Sequence, residues 1–237
     1  MNFAAVIVAG GAGKRFGSKE PKQFLLLNKK KMFIWSILAF KKVKECKQII
    51  LVVPEYKLSE MERYKKLYKI DVVCGGKERY NSVQNGLKVV KDNIDIVAVH
   101  DAARPLITSE IIKEVFDSAV KYGGAIAANI ARDTIKFSKN GKNITKSIDR
   151  NNIWQAQTPQ MFKTKILKKV YSNKIPKNVT DDAQLVEKFG KKVMLVDGGY
   201  ENFKVTQPID FKLAEAILRD RRVEGQKYRK DNGKKYC

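Results

Sequence analysis

The chain has 237 residues, 43% of them hydrophobic, enough for one sizeable core, and carries a formal charge of +23 at neutral pH. No apolar run approaches the ~20 residues of a membrane-spanning helix, and a single histidine excludes any site that needs two, such as a His-rich zinc centre. Cys46, Cys74 and Cys237 show no metal-ligand spacing, and their odd number argues against a disulfide framework and for a reducing, cytoplasmic setting. The basic excess invites a nucleic-acid reading. Its lysines, however, are scattered at helical spacings ("KKVKECK", "KKLYK"), no nucleic-acid motif accompanies them, and aromatics do not alternate with them as in a stacking platform. A compositional bias toward lysine on solvated faces accounts for them, and no specific nucleic-acid or membrane partner is expected.

The opening "MNFAAVIVAGG" lacks the basic start and cleavage region of a signal peptide and reads as a short buried strand running into glycines. Glycines after a strand let backbone N–H groups approach a phosphate closely. The stretch "VAGGAGKRFGSKEPKQF" (8–24) is not a P-loop, because Val8 stands at the first glycine position and Arg15 at the hydroxyl position. Nor is it a dinucleotide fingerprint, since Phe16 stands at the third glycine. It does fit [AG]-G-x-G-x-R-[FM] followed by Pro-Lys, and so resembles nucleotidyltransferases that join a sugar or polyol phosphate to a nucleoside triphosphate. Ala9, Gly10, Gly11 and Gly13 form the cradle, Arg15 offers a rigid fork for phosphate oxygens, and Lys22, behind the stiffening Pro21, offers a movable point charge.

Further strands are expected at 48–54, 70–74, 94–100 and 124–131, with helices at Met32–Val43, Leu58–Leu67, Ser82–Val90 and Ser109–Val120 between them. This alternation predicts a doubly wound α/β sheet with ligands at the carboxyl ends of strands, in the loops after Ala9, Cys74 and His100. Residues 132–154 break the rhythm: Ile135, Phe137, Ile144 and Ile148 alternate around a Lys-Asn-Gly-Lys turn, a β-hairpin signal. Such an arm packs on its own body or crosses to a second subunit. From Arg219 the sequence turns polar and basic with little period, so 219–237 is expected to be a disordered tail beyond a nucleotidyltransferase domain of residues 1–218.

The loops "GGKERYNSVQNGL" (75–87), "VHDAARP" (99–105), "DRNNIWQAQTPQMF" (149–162), "TDDAQLVEKFG" (180–190) and "NFKVTQPIDFKLAE" (202–215) follow the opening loop in fixed order. Over roughly residues 3–218 the sequence closely resembles the 2-C-methyl-D-erythritol 4-phosphate cytidylyltransferase family. The resemblance implies a Rossmann-like fold, a mostly parallel twisted sheet with helices on both faces and a protruding β-hairpin arm. It also implies transfer of a cytidylyl group from CTP to methylerythritol phosphate in non-mevalonate isoprenoid precursor synthesis, with release of pyrophosphate. Mg2+ would be held mainly through the CTP phosphates, and the homodimer would be joined through the hairpin arm. By the same resemblance Arg15 and Lys22 stabilise the transition state, and Arg150 and Lys204 position the acceptor phosphate. Asp101, Arg104, Thr158 and Thr180 fall on acceptor-site positions, Thr134 is presented to the neighbouring subunit's site, and Gly76 and Ser82 belong to the nucleotide pocket. No side chain is assigned as a metal ligand.

Two of these residues carry a second reading. Thr180 before Asp181 and Asp182 has the pattern of a helix cap, and Asp101 and Arg104 can pair with each other at a strand end. The loop also departs from the family at one position: Gly10 stands where an alanine is usual, as in the ribitol-5-phosphate cytidylyltransferases. Ala103, Ser82-Val83 and "TDDAQLVE" keep the methylerythritol pattern.

Overall fold

The first apolar run becomes the spine of a sheet because its neighbours in space are equally apolar. The computed structural model describes residues 1–11, 16–18, 20–176 and 179–233, of which 222–233 are described as backbone only. The chain runs through β1 (Phe3–Val8), a short hairpin of β2 (Leu26–Leu27) and β3 (Lys30–Lys31), α1 (Met32–Lys41), β4 (Cys46–Val53), α2 (Leu58–Tyr68), β5 (Asp71–Cys74) and α3 (Arg79–Lys88). It continues through β6 (Ile96–Asp101), α4 (Ser109–Tyr122), β7 (Gly124–Ile130), β8 (Ile135–Phe137), β9 (Lys146–Ile148) and β10 (Trp154–Lys163). α5 (Thr164–Tyr171), α6 (Asp182–Lys188), β11 (Met194–Asp197) and α7 (Pro208–Gly233) complete it. Seven strands form one sheet in the order β11-β7-β10-β6-β1-β4-β5, parallel throughout except for β10, which runs antiparallel to both β6 and β7.

Side chains of β1 alternate between two cores, as the period of a strand requires. Phe3, Ala5 and Ile7 face a layer that includes Phe33 and Phe40 of α1, Met61 of α2 and Val115 of α4. Ala4 and Val6 face the opposite layer, with Val83 and Leu87 of α3, Leu167 of α5 and Leu185 of α6. A third cluster, Leu27, Met32, Leu106, Val205 and Ala214 with Phe16 and Phe211 against it, docks α7 on the β2–β3 hairpin. The expected mostly parallel sheet with helices on both faces is the one observed.

Among the elements that differ from the expectation, three stand out. α3 begins at Arg79 because Glu78 and Asn81 form a reciprocal capping box, Glu78 N–H donating to Asn81 Oδ1 at 3.2 Å. β10, expected as a loop, is an inner strand. Its sequence "WQAQTPQMFK" hides this with Pro159, which lies where the pairing to β7 skips from Ala156 to Gln160, a break that tolerates the missing N–H. Its buried glutamines are satisfied, Gln157 Nε2 by Asn129 Oδ1 at 2.6 Å and Gln160 Nε2 by Asp181 Oδ2 at 2.9 Å. Finally, the backbone from Arg219 is not an irregular tail: α7 continues to Gly233, and Arg221 donates to the Leu106 carbonyl at 2.8 Å and pairs with Glu201 at 2.6 Å. Missing apolar period signals a missing buried stripe, whereas lysine, arginine, glutamate and glutamine remain good helix formers. Residues 234–237 lie outside the described residues.

The arm is present as β8 and β9, paired Ile135 to Ile148 and Phe137 to Lys146, with Asn140 Oδ1 accepting from the Lys142 and Asn143 N–H groups and Gly141 at φ 71. Its Phe137 and Ile144 are exposed.

α3 lies unusually close to β1. A Cβ on Gly86 would stand 2.5 Å from Val6 Cγ1. Gly86→Ala therefore improves helix propensity but overpacks the interface, and a loss of about 1–3 kcal/mol is expected, a fall in Tm of roughly 2–12 °C for a domain of this size. An unchanged or raised Tm in thermal unfolding would show that α3 does not need this approach.

Candidate active site

A cavity of about 350 Å³ opens where the expected loops meet, lined by Val8, Gly10, Gly11, Lys22, Gln23, Gly76, Lys77, Glu78, Arg79, Ser82, Asp101, Ala103 and Lys204. The first loop is gathered by Gln23, whose buried Nε2 donates to the carbonyls of Ala9 and Gly11, each at 2.7 Å. Lys22, 7% exposed, opens the short 3-10 turn Lys22–Phe24 beside it. Before Pro21, Glu20 pairs with Lys57 at 2.9 Å and with Lys31 at 3.5 Å, tying the loop to the turn before α2 and to the β2–β3 hairpin. The second loop closes on Ser82, whose Oγ accepts from Gly76 N–H at 3.1 Å. A Cβ on Gly10 would lie 3.1 Å from the same oxygen, so both glycine loops converge on Ser82.

The third loop carries the charge. Asp101, buried at the end of β6, pairs with Lys204 through Oδ2 at 2.7 Å and with Arg79 through Oδ1 at 3.3 Å. Burial alone would raise its pKa, but Arg79, Lys204 and Arg104 outweigh that and hold the carboxyl far below the usual carboxylate range. Lys204 is aimed by its neighbour Val205, whose side chain is fully buried and whose N–H donates to the Ala103 carbonyl at 2.8 Å. Under the floor, Asp101 N–H donates to Thr158 Oγ1 at 3.0 Å, the Thr158 hydroxyl meets His100 Nδ1 at 3.1 Å, and His100 Nε2 faces the Arg104 carbonyl at 3.2 Å. This chain fits a neutral imidazole protonated on Nε2. Four cationic side chains and two carboxylates line the cavity, which favours an anionic ligand.

Of the residues singled out in the sequence, Gly10, Gly11, Lys22, Gly76, Ser82, Asp101 and Lys204 are brought to this cavity. Ala9 is buried beneath the loop and Thr158 beneath the floor. Gly13 and Arg15 lie outside the described residues. Arg104 does not pair with Asp101 through its side chain; its Nη1 donates to the Asn202 carbonyl at 2.7 Å, and only its backbone N–H reaches Asp101, at the carbonyl. Thr180 sits at a separate cavity of about 70 Å³ shared with Arg79 and Tyr171. The cap of α6 is Asp181, one residue on, whose Oδ1 accepts from Gln184 N–H at 2.9 Å. Thr134 and Arg150 are exposed on the arm; the Arg150 guanidinium donates to the Arg132 carbonyl, and neither residue lines the cavity of its own chain. Sequence reasoning missed Gln23, Arg79, Tyr171 and Asp182. Arg79 and Asp182 stand inside quoted motifs, but their pairing spans 103 positions and leaves no local signal.

The family model of IspD, 2-C-methyl-D-erythritol 4-phosphate cytidylyltransferase, matches residues 3–220. The chain belongs to this family. A relative bearing that cytidylyltransferase name in Endomicrobium trichonymphae is 49% identical over 92% of this chain and all of its own length. One in Syntrophus aciditrophicus is 40% identical over 91% of this chain and 95% of its own. Among solved structures, 4-diphosphocytidyl-2C-methyl-D-erythritol synthase from Anaerococcus prevotii superposes with a TM-score of 0.79 at 27% identity, covering 92% of this chain and 98% of that one. The cytidylyltransferase from Thermus thermophilus gives 0.77 at 27% identity, over 92% and 100%.

His100 offers a direct check on the floor of the site. Burial pushes its imidazole down to about 4, with Arg104 in the same direction and Asp101 opposing. A histidine whose folded pKa lies below the unfolded ~6.5 is fully stabilising above the unfolded value and loses that contribution as pH falls toward the folded one. As the chain has one histidine, its imidazole signals in NMR are unambiguous: they should titrate near 4, and Tm should fall between about pH 6.5 and 4. A midpoint near 6.5 would refute the buried, neutral assignment.

Proposed function

We infer that the chain transfers a cytidylyl group from CTP to 2-C-methyl-D-erythritol 4-phosphate with release of pyrophosphate, in isoprenoid precursor synthesis. The observation that carries this is the convergence of Lys22, Lys77, Arg79 and Lys204 with two glycine loops in one cavity of a chain of this family. An oxygen of the acceptor phosphate attacks the α-phosphorus of CTP, the new P–O bond forms, and the bond to the β-phosphate oxygen breaks with its electron pair leaving on pyrophosphate. Charge accumulates on the α-phosphoryl oxygens, so a buried, preorganised cation contributes more in the transition state than before it. In our reading Lys22 and Arg15 supply that charge, the Gly10–Gly11 and Gly76 backbone with Ser82 holds the nucleotide, and Lys204 with Asp101 orients the acceptor. Gly10, the position shared with ribitol-5-phosphate enzymes, faces Ser82 on the nucleotide side, so it argues little about the acceptor.

The donor set fits a magnesium ion carried mainly on triphosphate oxygens: the cavity offers the carboxylates Glu78 and Asp101, and Lys204 and Arg79 already engage both Asp101 oxygens. When bound, the ion would neutralise phosphate charge and favour departure of pyrophosphate. Among the described residues no helix is long and apolar enough to cross a membrane, and Cys46 and Cys74 are free thiols; we read the enzyme as cytoplasmic. Because Arg150 and Thr134 stand on the exposed arm, away from their own cavity, we further propose a homodimer in which each arm serves the partner's site.

Release of pyrophosphate from CTP, followed with methylerythritol phosphate and ribitol phosphate side by side, tests the reaction; faster turnover of ribitol phosphate would overturn the acceptor. Lys22→Ala should lower kcat by roughly 10²–10³ with a smaller change in the KM for CTP, and near-normal kcat would remove Lys22 from the catalytic role. The shared site is tested by refolding Lys22→Ala and Arg150→Ala chains together. Random pairing makes half the dimers mixed, each with one site restored, so activity should recover to about a quarter of wild type. Confirmed mixed dimers no more active than the parents would show that Arg150 serves its own subunit.

A further inference from the structure

Arg79 is given no role above beyond its charge, yet its side chain bridges two carboxylates in the cavity wall. It opens α3 with Nη2 at 2.8 Å from Asp182 Oδ2 and Nε at 3.3 Å from Asp101 Oδ1. Asp182 is fully buried, its other oxygen accepts from the Tyr171 hydroxyl, and its backbone N–H donates to Gln160 Oε1 at 3.0 Å. Beyond Asp101 the series ends at Lys204, 2.7 Å from Oδ2. Charges therefore alternate from the interior to the cavity: Asp182, Arg79, Asp101, Lys204. A carboxylate with one lysine for company can rotate, and that lysine follows it. Asp101 cannot, because Arg79 holds Oδ1 and is itself held by a carboxylate that solvent does not reach. Asp101 also divides its charge between two cations, so Lys204 keeps attraction to spare for a phosphate.

We propose that Arg79 is a positioning residue: by fixing Oδ1 of Asp101 against the buried Asp182, it makes Oδ2 the docking point of Lys204 and sets where that ammonium meets the acceptor phosphate. The proposal rests on the reading of Lys204 as an acceptor-phosphate residue. Arg79 reaches the two carboxylates through two different nitrogens of its planar fork, Nε and Nη2, whereas a lysine at position 79 keeps the charge but is a single point donor. Displacement of a positioned group by a fraction of the chemistry's scale costs on the order of 100-fold in rate.

The test is steady-state kinetics with each substrate varied in turn. Arg79→Lys should lower kcat/KM for the acceptor by on the order of 100-fold, while the KM for CTP stays within about twofold. Val115→Ala, a core truncation on the opposite face of the sheet, should lower Tm without moving either KM, which separates positioning from mere destabilisation. If Arg79→Lys does not fold, Arg79→Gln combined with Asp182→Asn removes the buried charge pair as a unit and carries the same expectation. Lys204→Met is the parallel arm. If it raises the acceptor KM while the Arg79 variants match wild type, or if those variants weaken CTP and acceptor alike, the positioning role is overturned and the acceptor reading stands. If Lys204→Met leaves acceptor kinetics unchanged, that reading falls and the proposal with it.

Discussion

A carboxylate taken out of water must be matched by cations and hydrogen bonds, and Asp101 imposes that demand at the end of the central strand β6. The parallel sheet answers it from separate directions. β1 and β5 end on the same edge of the sheet as β6, so the loops carrying Lys22 and Arg79 reach the same rim, while the segment before α7 delivers Lys204. β10, running the other way, places Thr158 under the Asp101 amide. Removing Arg79 would leave the buried Asp182 without its cation, a larger penalty than the pair itself contributes. The same requirement that constrains folding thus brings Arg79 and Lys204 to one cavity.

The packing beneath explains how that assembly stays in register. Alternate residues of β1 feed two separate cores, so helices α1, α2 and α4 are fixed on one face while α3, α5 and α6 are fixed on the other. α3 brings Ser82 and Arg79 to the rim at a height set by the contact of Gly86 with Val6. The third cluster, in which Phe16 lies 6.0 Å from Phe211, links the opening loop to the first turns of α7 and hence to the segment bearing Lys204. Loops on opposite sides of the cavity therefore share one apolar support.

Much of this was legible because buried parallel strands and glycine-rich loops leave local marks. The runs around Val6, Ile50 and Val97 and the spacing of Gly10, Gly11 and Pro21-Lys22 each state their structure within a few residues. β10 was not legible, since Pro159 and three glutamines imitate a loop and become strand-compatible only through partners such as Asn129 and Asp181 far along the chain. Arg79 was equally hidden: its fork matters through Asp182, and no periodicity links them. The continuation of α7 is hidden for the opposite reason: apolar periodicity signals burial and not helix.

A chain with a net charge of +23 has lysine in abundance, so charge alone cannot define its phosphate site. What separates Lys22 and Lys204 from the solvated lysines is restraint. Lys22 is buried at the head of a short turn, with Gln23 bonded back to the glycine loop and Glu20 tied to Lys57 on the other side. Lys204 is bracketed by Val205, sealed in an apolar cluster, and by the Asp101 carboxylate. A surface ammonium loses rotamer entropy when it grips a phosphate, and water screens the grip. Lys22 is held by burial and Lys204 by its ion pair, so both have already lost part of that freedom in folding. The positive charge at this cavity is therefore set by packing around a few side chains, and the scattered remainder adds only diffuse attraction for anions.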